Sequence, residues 1–144
     1  MGILPDEIKP AMQGVIPSHV VTCSRDGTPN ASVISQVYYV DADHVALSHQ
    51  FFNKTRRNLE ENPRAVVWLI SHETFDGWAL ELDFDRSETS GPIFDAMDMQ
   101  IKAIATIVGM KGIFKLRAAD IFRVRSVTRS VGERIPVSEI PAPR

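Results

Sequence analysis

With a single cysteine, Cys23, the 144-residue chain can form no intrachain disulfide and no zinc cage built from several thiolates. Its four histidines, His19, His44, His49 and His72, show no His-x-x-x-His spacing, so no metal site is expected. The longest purely apolar run, Ala65 to Ile70, falls far short of the roughly 18 residues that cross a bilayer as a helix. The opening residues MGILPDEIKP carry Asp6 and Glu7 where a leader would carry basic and apolar residues, so no export signal is expected. A reducing cytoplasm fits this pattern. There is no Gly-x-Ser-x-Gly elbow, no glycine-rich phosphate loop and no dinucleotide fingerprint. Charge of one sign is also missing: 16 Lys and Arg stand against 18 Asp and Glu, net −2, which argues for neither a nucleic-acid nor a membrane partner. The distribution is less even, since residues 1–110 carry 8 basic and 15 acidic side chains and residues 111–144 carry 8 and 3.

What remains, 44% apolar and 24% charged, suits one domain over 1–144. Residues 1–14 read as an N-terminal arm, and about 130–144 as a proline-punctuated tail. In between, the apolar period switches between 2 and 3.6, and strands dominate. Residues 18–24 run to the turn signal Asp26-Gly27, and Asn30 to Val40 resumes as a β-branched and aromatic run. A turn at Asp41–His44 leads to Val45–Gln50, so three neighbouring antiparallel strands are expected. Asn53 to Asn62 reads as a short helix stopped by Pro63. Arg64–Ser71 and Trp78–Asp85 form a further hairpin, with Trp78, Leu80, Leu82 and Phe84 on one face and Glu81, Asp83 and Asp85 facing water. Pro92 opens an amphipathic helix with Ile93, Met97, Ile101, Ile104 and Val108 on one stripe and Gly109 past its end. Gly112 to Val127 supplies one or two closing strands. The fold class is mainly β with two helices, an α+β barrel, because closure removes exposed strand edges.

One junction carries chemistry. Ser48-His-Gln-Phe-Phe-Asn-Lys-Thr-Arg-Arg-Asn58 runs from a strand into a helix whose first turn holds Lys54, Thr55 and Arg57. Unpaired N–H groups and a partial positive charge sit at that end, and cations there oppose the helix dipole unless an anion compensates them. A phosphate suits the arrangement. His49, on the strand feeding it, is the one histidine with a functional reading. The stripe through Met97, Ile101 and Ile104 reads as core packing or a subunit contact. Cys23 reads as a small strand hydrophobe.

The run Asp26-Gly-Thr-Pro-Asn30, the strand Ser32-Val-Ile-Ser-Gln36, Val45-Ala-Leu-Ser48, Lys54-Thr-Arg-Arg-Asn-Leu59 and Asn62-Pro-Arg64, in this order, resembles the pyridoxamine 5'-phosphate oxidase-like family of split-barrel flavoproteins over about residues 10–128. The resemblance implies an FMN-binding split barrel and a homodimer with the flavin in the cleft between subunits. It places the FMN phosphate at Lys54 and Thr55, where the oxidase has two basic residues; Arg57 is our candidate for the missing charge. It lines the flavin with Val33, Ile34, Ser35 and Gln36, adds Ser48, His49 and Gln50 from the next strand, and puts Trp78 near a further contact. The oxidase's C-terminal segment with its Trp and Arg residues has no counterpart in Gly132 to Arg144, so oxidation of vitamin B6 phosphates is not expected. An FMN-dependent oxidoreductase with unassigned catalytic residues and substrate is the leading reading. F420 or haem in the same fold, or non-catalytic flavin sensing, are the alternatives.

Overall fold

The computed structural model describes residues 2–34, 36–49, 53–113 and 115–130, with the side chain of Asn53 left aside. Ser35, Gln50 and the tail from residue 131 lie outside the described residues. Seven strands, β1 (Ser18–Cys23), β2 (Pro29–Ile34), β3 (Tyr38–Asp41), β4 (His44–His49), β5 (Arg64–Ile70), β6 (Gly77–Glu88) and β7 (Ala118–Ser130), form one antiparallel sheet. Their order is β2-β1-β5-β6-β7-β4-β3.

That order corrects the expectation of three neighbouring strands. Asn30 to Val40 is not one strand: it breaks after Ile34, and β2 and β3 lie on opposite edges of the sheet. From Ile34 to Tyr38 the chain can reach only about 14 Å. Flat, six strand spacings would hold the edges roughly 29 Å apart. The sheet must therefore curl until its edges nearly meet, which is the split barrel.

The inward residues of β1, β5 and β6, among them Val20, Val67, Leu69, Trp78, Leu80 and Leu82, share one core with Val45, Leu47, Phe122 and Val124. As the alternation predicts, Arg123 and Arg125 face out while Phe122 and Val124 are buried. Glu81, Asp83 and Asp85 find Ser126, Arg125 and Arg86 as partners on the outer side, as a water-facing row does. The Asp26 turn also forms as read. Gly27 takes φ +89°, where a side chain would be strained, and the Ser24 hydroxyl and Thr28 amide bonded to Asp26 hold its carboxyl below the usual range.

The first residues are not a loose arm. A 3-10 turn, Asp6–Ile8, continues into α1 (Lys9–Met12), and Leu4, Ile8, Ala11 and Met12 are buried in the barrel core. The Leu4 amide donates to the Ala42 carbonyl (2.9 Å) and the Val37 amide to the Met12 carbonyl (3.1 Å), tying this segment to β3 and its approach. With α2 (Asn53–Glu61) and α3 (Pro92–Ile107) the helices number three among the described residues. Four apolar residues spread over nine positions are too few for a helical period to stand out from noise.

The α3 stripe divides along its length. Ile93, Met97 and Ile101 pack with Phe94 on a second cluster around Ala46 and Ile121, but Ile104 and Val108 are exposed. The closing strand is single and starts at Ala118, six residues later than read from Gly112.

Candidate functional site

Helix α2 rests on β1 and β2, and its residues divide by face at the helical period. Thr55, Asn58 and Leu59 are buried. The Asn58 amide donates to the Thr22 hydroxyl of β1 at 3.1 Å. The Thr55 hydroxyl accepts from the Asn30 amide at 3.2 Å and lies 3.3 Å from the Ser32 hydroxyl on β2. Arg56 is held on the other side: its Nη1 donates to Asp120 (2.9 Å) and Ser87 (2.6 Å), and its guanidinium lies 5.6 Å from the centre of the Phe84 ring. Asp120 is buried and also accepts from the Ser87 hydroxyl. The first turn of α2 is thus clamped to β2 on one flank and to β6 and β7 on the other.

Among the described side chains of that turn, Lys54 and Arg57 face solvent. Among the described residues neither forms an ion pair, and no acidic residue stands in the first turn. Helix charges here run against the macrodipole, with Lys54, Arg56 and Arg57 early and Glu60 and Glu61 late. The late end is relieved, since Glu61 accepts from the Arg25 amide at 2.8 Å and Glu60 lies 3.7 Å from Arg56. At the early end, Asp120 is spent on Arg56, so among the described residues the cations Lys54 and Arg57 have no acidic partner at the helix end that carries the positive end of the dipole. This donor set fits a phosphate.

The described residues expected around a flavin sit on several elements. On edge strand β2, Ile34 points into the core and Val33 out, 63% exposed. Gln36 is half-buried and donates to Gln100 of α3 at 2.5 Å. Ser48 lines a narrow crevice with Gln36 and with Met97, Ile101 and Ile104 of α3. His49 ends β4, and its carbonyl accepts from the Arg117 amide at 2.9 Å. Thr55 is buried against β2, while Lys54 faces water, so the two adjacent residues do not present the same face. Trp78 is separated from this site within one chain. It sits in the core at the start of β6, about 30 Å of strand from Ser87, under the Arg129 guanidinium (4.9 Å), which pairs with Asp76. His44 is half-buried and bonded to Asp41 at 2.9 Å, and His72 is likewise half-buried.

Sequence reasoning overlooked Asn30, Ser32, Asn58 and the Arg56–Asp120 pair. A signal existed for two of them, since Asn30 and Ser32 share the inward period of Ile34, where apolar residues are the norm. Nothing in the linear sequence joins Arg56 to Asp120, 64 positions away.

The outer face of the sheet carries a second feature. Register places Val33, His19 and Trp68 in one row across β2, β1 and β5, and Ala31, Val21 and Val66 in the next. Val21, Val33, Val66 and Trp68 are all exposed, Trp68 to 49%, so they form a contiguous apolar patch rather than scattered residues.

Comparison with known proteins agrees with this fold. The family model described as pyridoxamine 5'-phosphate oxidase matches residues 4–125. An uncharacterized protein of Methanocaldococcus jannaschii is 34% identical over 50 residues, covering 33% of this chain and 34% of that protein, so the match spans about a third of the relative's length. Among solved structures, an FMN-binding protein from Syntrophomonas wolfei subsp. wolfei has a TM-score of 0.69 at 19% identity, covering 88% of each chain. An F420 reductase gives a TM-score of 0.62 at 13% identity, covering 87% of this chain and 98% of its own. The haem storage protein HutZ from Vibrio cholerae gives 0.59 at 19%, covering 92% and 98%.

Proposed function

Because the chain belongs to the pyridoxamine 5'-phosphate oxidase family, we propose that it is an FMN-binding oxidoreductase acting as a homodimer, with the flavin phosphate held by Lys54 and Arg57 at the start of α2. The observation that carries this reading is a pair of exposed cations, without an acidic partner among the described residues, on a helix turn whose Thr55 and Arg56 are tied to the strands. Thr55 acts here less as a ligand than as the anchor that fixes the turn to β2. Bound flavin would supply hydride or electron transfer, and the protein binding, orientation and exclusion of water. The apolar rows on β2, β1 and β5 support the dimer, since they offer an exposed apolar surface that includes Val33.

Titrating FMN and riboflavin separately into wild-type and Lys54→Ala apoprotein tests the phosphate assignment. A lost charge-assisted bond is worth about 1.5–3 kcal/mol, so FMN should bind roughly 10- to 150-fold more weakly while riboflavin is unchanged. Equal loss for both, or loss for neither, removes Lys54 from the site. Sedimentation addresses the dimer: flavin should be released as the protein dissociates on dilution, and a monomer retaining stoichiometric flavin overturns it.

A second reading places F420 or haem in this barrel, supported by the likeness to an F420 reductase and to a haem storage protein. The visible spectrum of the purified protein, with its cofactor extracted and identified, separates the three. A bound flavin that no common donor reduces would favour sensing over catalysis.

A further inference from the structure

Between Asp98 and Asp120 the chain carries no acidic residue, and it holds Lys102, Lys111, Lys115 and Arg117 among many apolar residues. All four lie on one stretch of chain, from the second half of α3 to the start of β7. Met97, Ile101 and Ala105 fasten α3 to the barrel, and beyond them the helix end and the turns after it stand out in solvent. Ile107 is 83% exposed, and Val108, Met110 and Ile113 are exposed with it. Gly109 and Gly112 take φ +72° and +85°, reversing the chain so that Lys111 is presented beside these apolar residues. Lys102 is paired with Asp98 at 2.6 Å, whereas among the described residues Lys111, Lys115 and Arg117 have no acidic partner.

We propose that this tip docks on an anionic lipid surface, with Ile107, Val108, Met110 and Ile113 entering the headgroup boundary and Lys111, Lys115 and Arg117 meeting the lipid charge. Charge complementarity selects this occupant. Outside residues 99–119 the chain carries 12 basic and 18 acidic side chains, so the tip's cations stand apart on an otherwise acidic molecule. A second copy meeting the tip about a two-fold axis would set these cations against the same cations with no carboxylate between them. A lipid surface takes apolar and cationic groups side by side without demanding a complementary shape.

Full-length protein sedimented with phosphatidylcholine vesicles, with and without phosphatidylserine, provides the test. Binding should require phosphatidylserine, weaken at high salt, and fall at least about tenfold in Ile107→Asp. Lys111→Ala and Lys115→Ala should each lower it about fivefold, and these exposed positions leave the fold intact by circular dichroism. Equal binding to both vesicle types, no binding by wild type, or full binding by Ile107→Asp overturns the proposal. So does sedimentation velocity showing a dimer that Ile107→Asp alone dissociates, since the tip would then cover a second copy.

Discussion

Helices α2 and α3 lie on the same barrel but are fastened to it by opposite chemistry. Helix α2 is held largely by polar contacts, with Thr55, Asn58 and Arg56 each tied to a named strand residue. That of α3 is apolar, with Ile93, Met97 and Ile101 packed on the cluster around Ala46 and Ile121. Hydrogen bonds and ion pairs are directional, so α2 is fixed in position and its free cations point where the strands put them. Apolar contact is not directional, and it ends on α3 where the stripe outruns the barrel. A polar seat thus suits a helix that must aim a charge, and an apolar one suits a helix that needs only to be held.

If this contrast is sound, the largest loss should come from opening the polar seat. In Arg56→Ala the buried Asp120 keeps its bond from Ser87 but loses its countercharge, so stability should fall by about 3 kcal/mol in urea unfolding. A loss near zero would mean that water replaces the guanidinium and that the turn is not clamped there. Replacing both residues, Arg56→Met with Asp120→Leu, should recover much of the stability yet lower FMN affinity, because the apolar pair no longer fixes the turn.

Met97→Ala tests the other helix. Met97 is buried, and its truncation should cost about 2 kcal/mol, the low end for such a change, because half-buried neighbours on α3 can shift into the space. Flavin affinity should stay within about twofold, since α3 aims no charge at the phosphate. A parallel fall in FMN binding would erase the distinction between the helices.

Much of the barrel is legible in the sequence because strand alternation and turn chemistry are local. The Asp26-Gly27 turn, the Trp78-to-Phe84 face and the start of α3 at Pro92 follow from residues within a few positions of each other. Sheet order is not local: nothing within Asn30 to Val40 announces that its halves belong to opposite edges, since a β-branched run reads the same whether or not it crosses a gap. The candidate site divides likewise. Lys54 and Arg57 can be found from dipole reasoning on nine residues, whereas the seat that orients them draws on β1, β2, β6 and β7. The cations after α3 show in the sequence only as a basic C-terminal third, without the exposed apolar residues beside them that the fold supplies.

Thr55→Val keeps the shape of the seat and removes its hydroxyl, so Asn30 loses an acceptor and Ser32 a partner. A net cost of about 1 kcal/mol is expected, with FMN and riboflavin affected alike because the turn loosens without losing a phosphate charge. A selective loss of FMN, read from the same pair of titrations, would instead make Thr55 a direct phosphate ligand.

The smallest effect is the most diagnostic, because its sign should reverse with ligand. In apoprotein, Lys54 opposes the α2 dipole with no acidic partner among the described residues, so Lys54→Ala should raise stability by about 0.3–1 kcal/mol, or roughly 1–5 °C in melting temperature for a chain of this size. With FMN at saturating concentration the order should invert: the ligand stabilises each protein according to its own affinity, and the wild type binds more tightly. Paired melts with and without FMN at low salt read both signs. Were Lys54 a solvated surface residue, the alanine variant would stay ahead in both. Were the cation neutralised by a neighbour of the same chain, it would lose stability already in the apoprotein, and α2 would no longer differ from α3 in keeping its charge free for a ligand.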